Sequence, residues 1–224
     1  MTQSLPVPFP HYLTFDDVLL LPGYSEIIPA DVDLSVQLGI KLTLKIPILS
    51  APMDTLTESN MAIAIGKIGG LGIIHRNLTI DQQVTHLKSA LDAGVKVGVA
   101  VGFGADFESR IQRLAGLKPH VICVDSAHGH TKNIIQATRY IKKYDPSILL
   151  IAGNIATYEG AKSLFEAGAD IVKVGMGAGS ICTTRIVSGV GVPQLSAIFD
   201  AAKAAKEFNR PIIADGGLRT SGDI

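Results

Sequence analysis

The sequence predicts an α/β protein of the (β/α)8 TIM-barrel class, with about seven of the eight strands present in the chain. Short aliphatic runs alternate with amphipathic stretches along the 224 residues, and near-continuous runs of Val, Ile and Leu are typical of parallel strands covered on both faces. A glycine or a polar residue closes nearly every run at its carboxyl end, where barrels keep functional side chains. We therefore expect a single barrel domain over residues 1–224.

The predicted elements follow one another in a regular order after an irregular, proline-rich opening. The runs predicted as strands are 47–50, 71–75, 97–102, 121–125, 149–153, 171–175 and 211–215. The spacing of apolar residues predicts amphipathic helices over 131–144 and 157–167. The first helix ends before Pro146, and the second ends at Gly168, a residue type that readily adopts a positive φ at a helix terminus.

This alternation of strands and helices also fits a doubly wound sheet. The glycines after strands are scattered around the units rather than concentrated after the first, and no G-x-G-x-x-G motif opens the first unit, which favours the barrel. Seven strands do not close an eight-stranded barrel, a fold that typically takes about 250 residues. We therefore expect the barrel to be incomplete at its carboxyl terminus.

Composition and charge exclude several classes of function. Lysine and arginine together number 20, as do aspartate and glutamate, so the chain lacks the basic excess typical of nucleic-acid binding. No apolar run reaches the roughly 20 residues that span a membrane, and the amino terminus lacks the features of a signal peptide. We therefore expect a cytoplasmic protein, with no membrane partner, whose Cys123 and Cys182 stay reduced.

The segment 175–185 is the most informative part of the sequence. Its glycines at alternate positions, Gly175, Gly177 and Gly179, permit a tight backbone turn that can cradle an anion or a dehydrated cation. Cys182 follows them in a loop rich in Gly, Ser and Thr at the carboxyl end of a predicted strand, and Arg185 and nearby amides favour its thiolate. We therefore predict Cys182 as a nucleophile, whereas Cys123 lies within a predicted strand and is interpreted as core.

Two aspartates end predicted strands at matching positions. Asp125 closes the strand 121–125, and Asp215 closes the strand 211–215. A single such carboxylate is as readily explained by capping of the following turn as by ligand binding. Two at the same edge favour contacts to ligand hydroxyls, because an unpaired carboxylate buried beside Val and Ile is costly. Asn154 and the segment 50–55 add polar groups to the same edge.

With these residues in place, the sequence resembles the IMP dehydrogenase / GMP reductase family over essentially the whole chain. The segments that carry the resemblance are LTFDDVLL (13–20), SAPMDT (50–55), GLGIIH (70–75), GMGAGSICTTR (175–185), GVGVPQ (189–194) and IADGG (213–217). The cysteine loop is the most specific of them and is shared by both branches of the family. The segments 50–55 and 189–194 are closer to the dehydrogenase branch than to the reductase branch.

The resemblance implies NAD-dependent oxidation of IMP to XMP in guanine nucleotide biosynthesis. In such an enzyme the Cys182 thiolate adds to C2 of the purine, hydride leaves C2 for NAD, and water hydrolyses the resulting thioimidate. The resemblance also implies that Thr184 assists at the reacting centre. Two alternatives stay open at this point: a GMP reductase that converts GMP to IMP with NADPH, and a nucleotide-binding fragment without turnover.

The resemblance also implies binding residues for each ligand. The residues it assigns to the substrate are Met53 at the base, Asp215 at the ribose, and Ser180, Gly216 and Gly217 at and near the phosphate. The residues it assigns to the nicotinamide side of NAD are Asp125, Ser126 and Asn154. The carbonyl groups it assigns to a monovalent cation, K+, are those of Gly177, Gly179 and Cys182.

Three further expectations come from the same resemblance. The family usually carries a regulatory pair of cystathionine-β-synthase-type modules, and only about residues 78–96 occupy that place here, so we expect this regulation to be absent. The eighth strand and the mobile flap, with the family's water-activating Arg–Tyr pair, have no counterpart before Ile224. The resemblance finally implies a homotetramer.

Overall fold

The computed structural model describes residues 10–39 and 42–224 of the chain. Its strands are β1 (Val36–Gly39), β2 (Leu42–Leu44), β3 (Leu49–Ser50), β4 (Leu71–Ile74), β5 (Val97–Val101), β6 (Val121–Asp125), β7 (Leu150–Ile155), β8 (Ile171–Val174) and β9 (Ile212–Ala214). Its α-helices are α1 (Ser59–Lys67), α2 (Ile80–Asp92), α3 (Phe107–Ala115), α4 (Lys132–Tyr144), α5 (Tyr158–Glu166), α6 (Thr184–Ser188) and α7 (Gln194–Phe208). Short 3-10 turns occupy Phe15–Asp17, Pro29–Asp31 and Ser221–Asp223. No helix in the described ranges is both long and apolar enough to cross a membrane.

Strands β3 to β9 form one parallel sheet in which every strand pairs with its neighbours in chain order. A doubly wound sheet reverses its strand order at a switch point, and this sheet has no such reversal. The barrel class is therefore confirmed, with seven parallel strands, and the doubly wound alternative is excluded. All seven strands were predicted from the aliphatic runs, although β3 and β9 are shorter than predicted and β7 continues to Ile155.

Helices α4 and α5 confirm the two predicted amphipathic segments. Each begins one residue later than predicted, because a threonine forms the amino-terminal cap. The Thr131 hydroxyl accepts a hydrogen bond from the Ile134 amide, and the Thr157 hydroxyl accepts one from the Gly160 amide. Gly168 follows α5 with a φ of 107°, which is the conformation expected of a glycine that ends a helix.

Two apolar cores lie on opposite faces of the parallel sheet. The larger core fills the space between the sheet and the helices. The smaller core lies on the inner face of the sheet, where Leu38, Leu42 and Leu44 of the β1–β2 hairpin pack with strand residues such as Ile73 and Ile151. This hairpin was not predicted from the sequence, although the segments V-Q-L and L-T-L show the apolar–polar alternation of short strands.

Candidate active site

The inner face of the sheet changes from apolar to charged at its carboxyl edge. Side chains alternate between the two faces of a strand, so residues two apart share a face. On β6, Cys123 belongs to the inner core and Asp125 follows two residues later. On β8, Ile171 belongs to that core and Lys173 follows. Asp215 stands in the same relation to Ile213, so the carboxyl ends of three strands bring two acids and one base together.

Lys173 lies at the centre of this charged layer. Its Nζ lies 2.5 Å from Oδ2 of Asp215 and 3.0 Å from Oδ1 of Asp125, and its side chain is only 6% exposed. Burial disfavours the charged amine, but the carboxylates of Asp215 and Asp125 outweigh it and raise the pKa of Lys173 above its ordinary value. Burial also opposes the charge of Asp215, yet Lys173 and a hydrogen bond from Asn154 hold the pKa of Asp215 below its ordinary value. Lys173 and Asp215 therefore both keep their charges at neutral pH.

Asn154 joins this cluster from β7. Its Nδ2 donates hydrogen bonds to Oδ2 of Asp215 at 2.8 Å and to the carbonyl of Gly175 at 2.9 Å. Its backbone amide donates to the Ser126 carbonyl at 2.8 Å, so Ser126 follows β6 directly beside it. The Oδ1 of Asn154 is buried and has no hydrogen-bond partner among the described residues. A buried acceptor without a partner is costly, so this oxygen is suited to a donor group from a ligand.

The cysteine loop connects β8 to α6 and packs against the turn that follows β9. Gly175 and Gly177 have φ values of 149° and 70°, in the region that favours glycine. The Cys182 amide donates to the Gly179 carbonyl at 3.1 Å, which closes the loop on itself. A Cβ placed on Gly216 would lie only 3.0 Å from the Gly179 nitrogen. The two backbones therefore touch, and the cysteine loop lies next to the turn that carries Asp215.

The two cysteines occupy opposite electrostatic environments. The Sγ of Cys182 donates a hydrogen bond to Oγ1 of Thr184 at 3.2 Å. When the thiol ionises, the same hydroxyl can donate to the thiolate, and this hydrogen bond is the main cause that lowers the pKa of Cys182. The Thr184 amide acts in the same direction, burial opposes it, and Arg185 lowers the pKa of Cys182 by the smallest amount. Cys123 is fully buried, and burial raises the pKa of its thiol. Cys182 is therefore the more readily ionised thiol, and the interpretation of Cys123 as core is confirmed.

A small cavity of about 210 Å³ lies beside the cysteine loop. Ser180 and Gly217, which the sequence analysis places at a phosphate, both line it, together with Arg185 and Arg219. Arg219 pairs with Asp16 of the amino-terminal segment. The cavity is smaller than the roughly 300 Å³ at which small-molecule pockets begin, so it fits one end of a ligand rather than the whole. Two guanidinium groups on its wall, against the one carboxylate of Asp16, favour an anionic end.

The structure does not join every predicted residue to this cluster. Met53 lies in the loop between β3 and α1 and is 41% exposed, and its amide donates a hydrogen bond to the nearby Ala51 carbonyl.

Two buried residues of the site, Lys173 and Gln194, were given no role from the sequence. Gln194 is 2% exposed, and its Nε2 donates to the carbonyls of Val174 at 2.9 Å and Asp215 at 3.1 Å. A lysine inside the otherwise apolar run I-V-K-V was the available signal for Lys173.

Replacing Thr184 by valine is expected to raise the pKa of Cys182, because the main hydrogen bond to the thiolate is lost. The thiolate fraction at about pH 7 then falls, and alkylation by iodoacetamide should slow by roughly threefold to tenfold. The pH dependence of the alkylation rate measures this shift. Thr183→Val is the matched control, since Thr183 caps α6 without a side-chain hydrogen bond. Equal alkylation profiles for Thr184→Val and the unchanged protein would contradict the assignment.

The fold and the site together define an α/β-barrel protein with an activated cysteine and a buried lysine–carboxylate cluster at the carboxyl ends of its strands. Residues 12–224 match the family model described as the IMP dehydrogenase / GMP reductase domain. The chain belongs to this family.

Curated relatives agree with this assignment. The chain is similar to the inosine-5′-monophosphate dehydrogenase of Staphylococcus aureus, with 34% identity over 95% of this chain and 70% of the relative. It is also similar to the inosine-5′-monophosphate dehydrogenase of Aquifex aeolicus, with 36% identity over 95% of this chain and 69% of the relative. The matched stretches run over 339 and 340 residues, longer than this chain, so both relatives contain segments that have no counterpart here.

Proposed function

We propose that this protein oxidises IMP to XMP with NAD through a covalent adduct on Cys182. The observation that carries the proposal is the placement of an activated thiol beside the turn that holds Asp215. Family membership restricts the chemistry to purine nucleotides. The thiol and the turn supply the two things that this chemistry needs, which are a nucleophile and an anchor for the ribose.

The thiol chemistry follows from the state of Cys182. The thiolate adds to C2 of the purine and forms a C–S bond, and the pair of electrons in the C2–H bond then leaves as hydride. NAD, when bound, would supply the acceptor for that hydride. A thiolate suits this sequence because it adds to an sp² carbon and later departs when water attacks the same carbon. Thr184 holds the sulfur as thiolate before addition, since its hydroxyl lies 3.2 Å from Sγ.

The remaining substrate contacts divide between two ends of the site. At one end, the Asp215 carboxylate accepts hydrogen bonds from the ribose hydroxyls. Lys173 keeps this carboxylate ionised. At the other end, Ser180 and the backbone of Gly216 and Gly217 approach the phosphate. The cavity beside the cysteine loop supports this placement, because Ser180 and Gly217 share it with two arginines. Met53, on the exposed edge, packs against the base.

The proposed cofactor side consists of Asp125, Ser126 and Asn154. The unpartnered Oδ1 of Asn154 fits this assignment, because a nicotinamide carboxamide offers an N–H donor for a buried acceptor. The backbone pairing of Ser126 with β7 keeps the loop after β6 close to Asn154.

The proposed K+ ligands are the carbonyl oxygens of Gly177, Gly179 and Cys182. Carbonyl oxygens are hard donors that suit a monovalent cation, and the three groups come from one short loop. The Gly179 carbonyl already accepts the Cys182 amide, and its second lone pair is left for a cation. The ion would order the loop around Cys182 without taking part in the redox step.

Four expectations stay predictions: a cytoplasmic location, the absence of the regulatory module between about residues 78 and 96, a single barrel domain, and a homotetramer. Residues 75–79 connect β4 to α2.

One feature of the amino-terminal segment supports the predicted assembly into a homotetramer. Leu19, Leu20 and Leu21 are 94–97% exposed, and contiguous apolar surface of this kind marks an interaction site more often than free surface.

The proposed activity is tested with purified protein, IMP and NAD. We expect at least one NADH per protein molecule, seen as the rise of the NADH absorbance, and no NADH when IMP is omitted. Consumption of NADPH with GMP, and no NADH with IMP, would replace the proposal by the reductase activity. Binding of IMP without any NADH would indicate the nucleotide-binding fragment instead.

A further inference from the structure

Lys173 has a structural setting that none of the roles above explains. The strand β8 would be apolar without it, and the adjacent strand β7 makes room for it with a glycine. A Cβ on Gly153 would lie 2.6 Å from the Lys173 carbonyl oxygen and 2.8 Å from the Lys173 Cβ. Burial of a lysine is costly unless its charge is paired, and here two carboxylates from different strands pair with one ammonium.

The two carboxylates belong to different ligands in the proposed function. Asp215 is assigned to the ribose of the substrate and Asp125 to the nicotinamide side. We propose that Lys173 is a positioning residue, which holds Asp215 and Asp125 together in one cluster so that each points at its own ligand. This inference rests on the proposed function, and it adds that the substrate and cofactor sites share one buried cation.

The groups that face Lys173 determine what its removal would do. They are Asp125 and Cys123 from β6, Asn154 from β7 and Asp215 after β9. The Cys123 thiol is neutral, because burial raises its pKa, and Asn154 carries no charge. Without the ammonium, two neighbouring carboxylates face each other with no cation, and such pairs share a proton. Asp215 would then lose its fixed orientation at high pH, where both acids are ionised.

The test compares the binding of IMP by Lys173→Met and by the unchanged chain from about pH 6 to about pH 8.5 with isothermal calorimetry. The ratio of the two dissociation constants cancels the ionisation of IMP itself. We expect this ratio to be about tenfold or more at the upper pH, and to fall toward one as the pair takes up a proton. A purely structural role would change affinity equally at every pH. A ratio that is flat with pH would overturn the proposal.

Lys173→Arg is the conservative control, because it keeps the positive charge. The ratio of its dissociation constant for IMP to that of the unchanged chain should not vary with pH, whatever the size of that ratio. A second readout needs no substitution. The carboxyl carbon of Asp215, followed by NMR in the unchanged chain, should titrate below the ordinary range of an aspartate. Titration of Asp215 at or above that range would overturn the proposal even if Lys173→Met does not fold. Failure of the unchanged chain to bind IMP would instead contradict the proposed function.

Discussion

Replacement of Cys182 by alanine is expected to abolish NADH formation from IMP and NAD, with a loss of at least about 1,000-fold. The reason is chemical: hydride leaves C2 only after a nucleophile has made that carbon tetrahedral, and alanine offers no nucleophile. Binding of IMP should survive within about tenfold, since Asp215, Ser180 and Gly217 are unchanged. Stopped-flow absorbance measures the rate of NADH formation, and calorimetry measures the dissociation constant of IMP.

Cys123→Ala is the matched control, because the chain contains only these two cysteines. Cys123 is fully buried in the inner core, so its replacement should lower the stability of the protein while NADH formation persists. Retention of NADH formation in Cys182→Ala would remove Cys182 from the mechanism. Loss of NADH formation in a folded Cys123→Ala would show that thiol chemistry had been assigned to the wrong cysteine.

Replacement of Gly175 by alanine is expected to destabilise the protein by about 3 kcal/mol or more. Gly175 has a φ of 149°, and a Cβ there would lie 2.0 Å from the carbonyl oxygen of Asp215. That contact is with backbone, so β8 and the turn after β9 would have to separate. The Asn154 hydrogen bond to the Gly175 carbonyl would also be disturbed. The midpoint of urea unfolding measures the loss.

Gly94→Ala separates the cost of a side chain at positive φ from the cost of the contact between the new Cβ and the backbone. Gly94 also has a positive φ, 70°, but a Cβ there would have no atom within 4 Å. We expect a cost of roughly 1 kcal/mol from the backbone conformation alone. If Gly175→Ala cost no more than Gly94→Ala, the close packing of the cysteine loop against the Asp215 turn would be wrong.

Much of the fold could be predicted because each strand carries a local signal. The aliphatic runs mark all seven parallel strands, and threonine caps and Gly168 mark the helix ends. The nearness of Asp125 and Asp215 also followed, because the carboxyl ends of parallel strands share one edge. The barrel could be separated from a doubly wound sheet only by strand order, which is a property of the pairing and not of any one segment.

The interior of the site could not be predicted in the same way. Lys173 pairs with carboxylates that lie 48 and 42 residues away in the chain, and nothing in the run I-V-K-V indicates either partner. Thr184 lowers the pKa of Cys182 more than Arg185 does, because the loop geometry brings its hydroxyl to the sulfur. The β1–β2 hairpin was missed because its strands are only four and three residues long.

In the proposed mechanism, Cys182 carries the nucleotide during turnover. The most direct measurement is peptide mass spectrometry of protein quenched in acid while it reacts with IMP and NAD. We expect a purine nucleotide bound to the peptide that contains Cys182, and none on the peptide that contains Cys123. Continued NADH formation with no nucleotide on Cys182, or with the nucleotide on another residue, would contradict it.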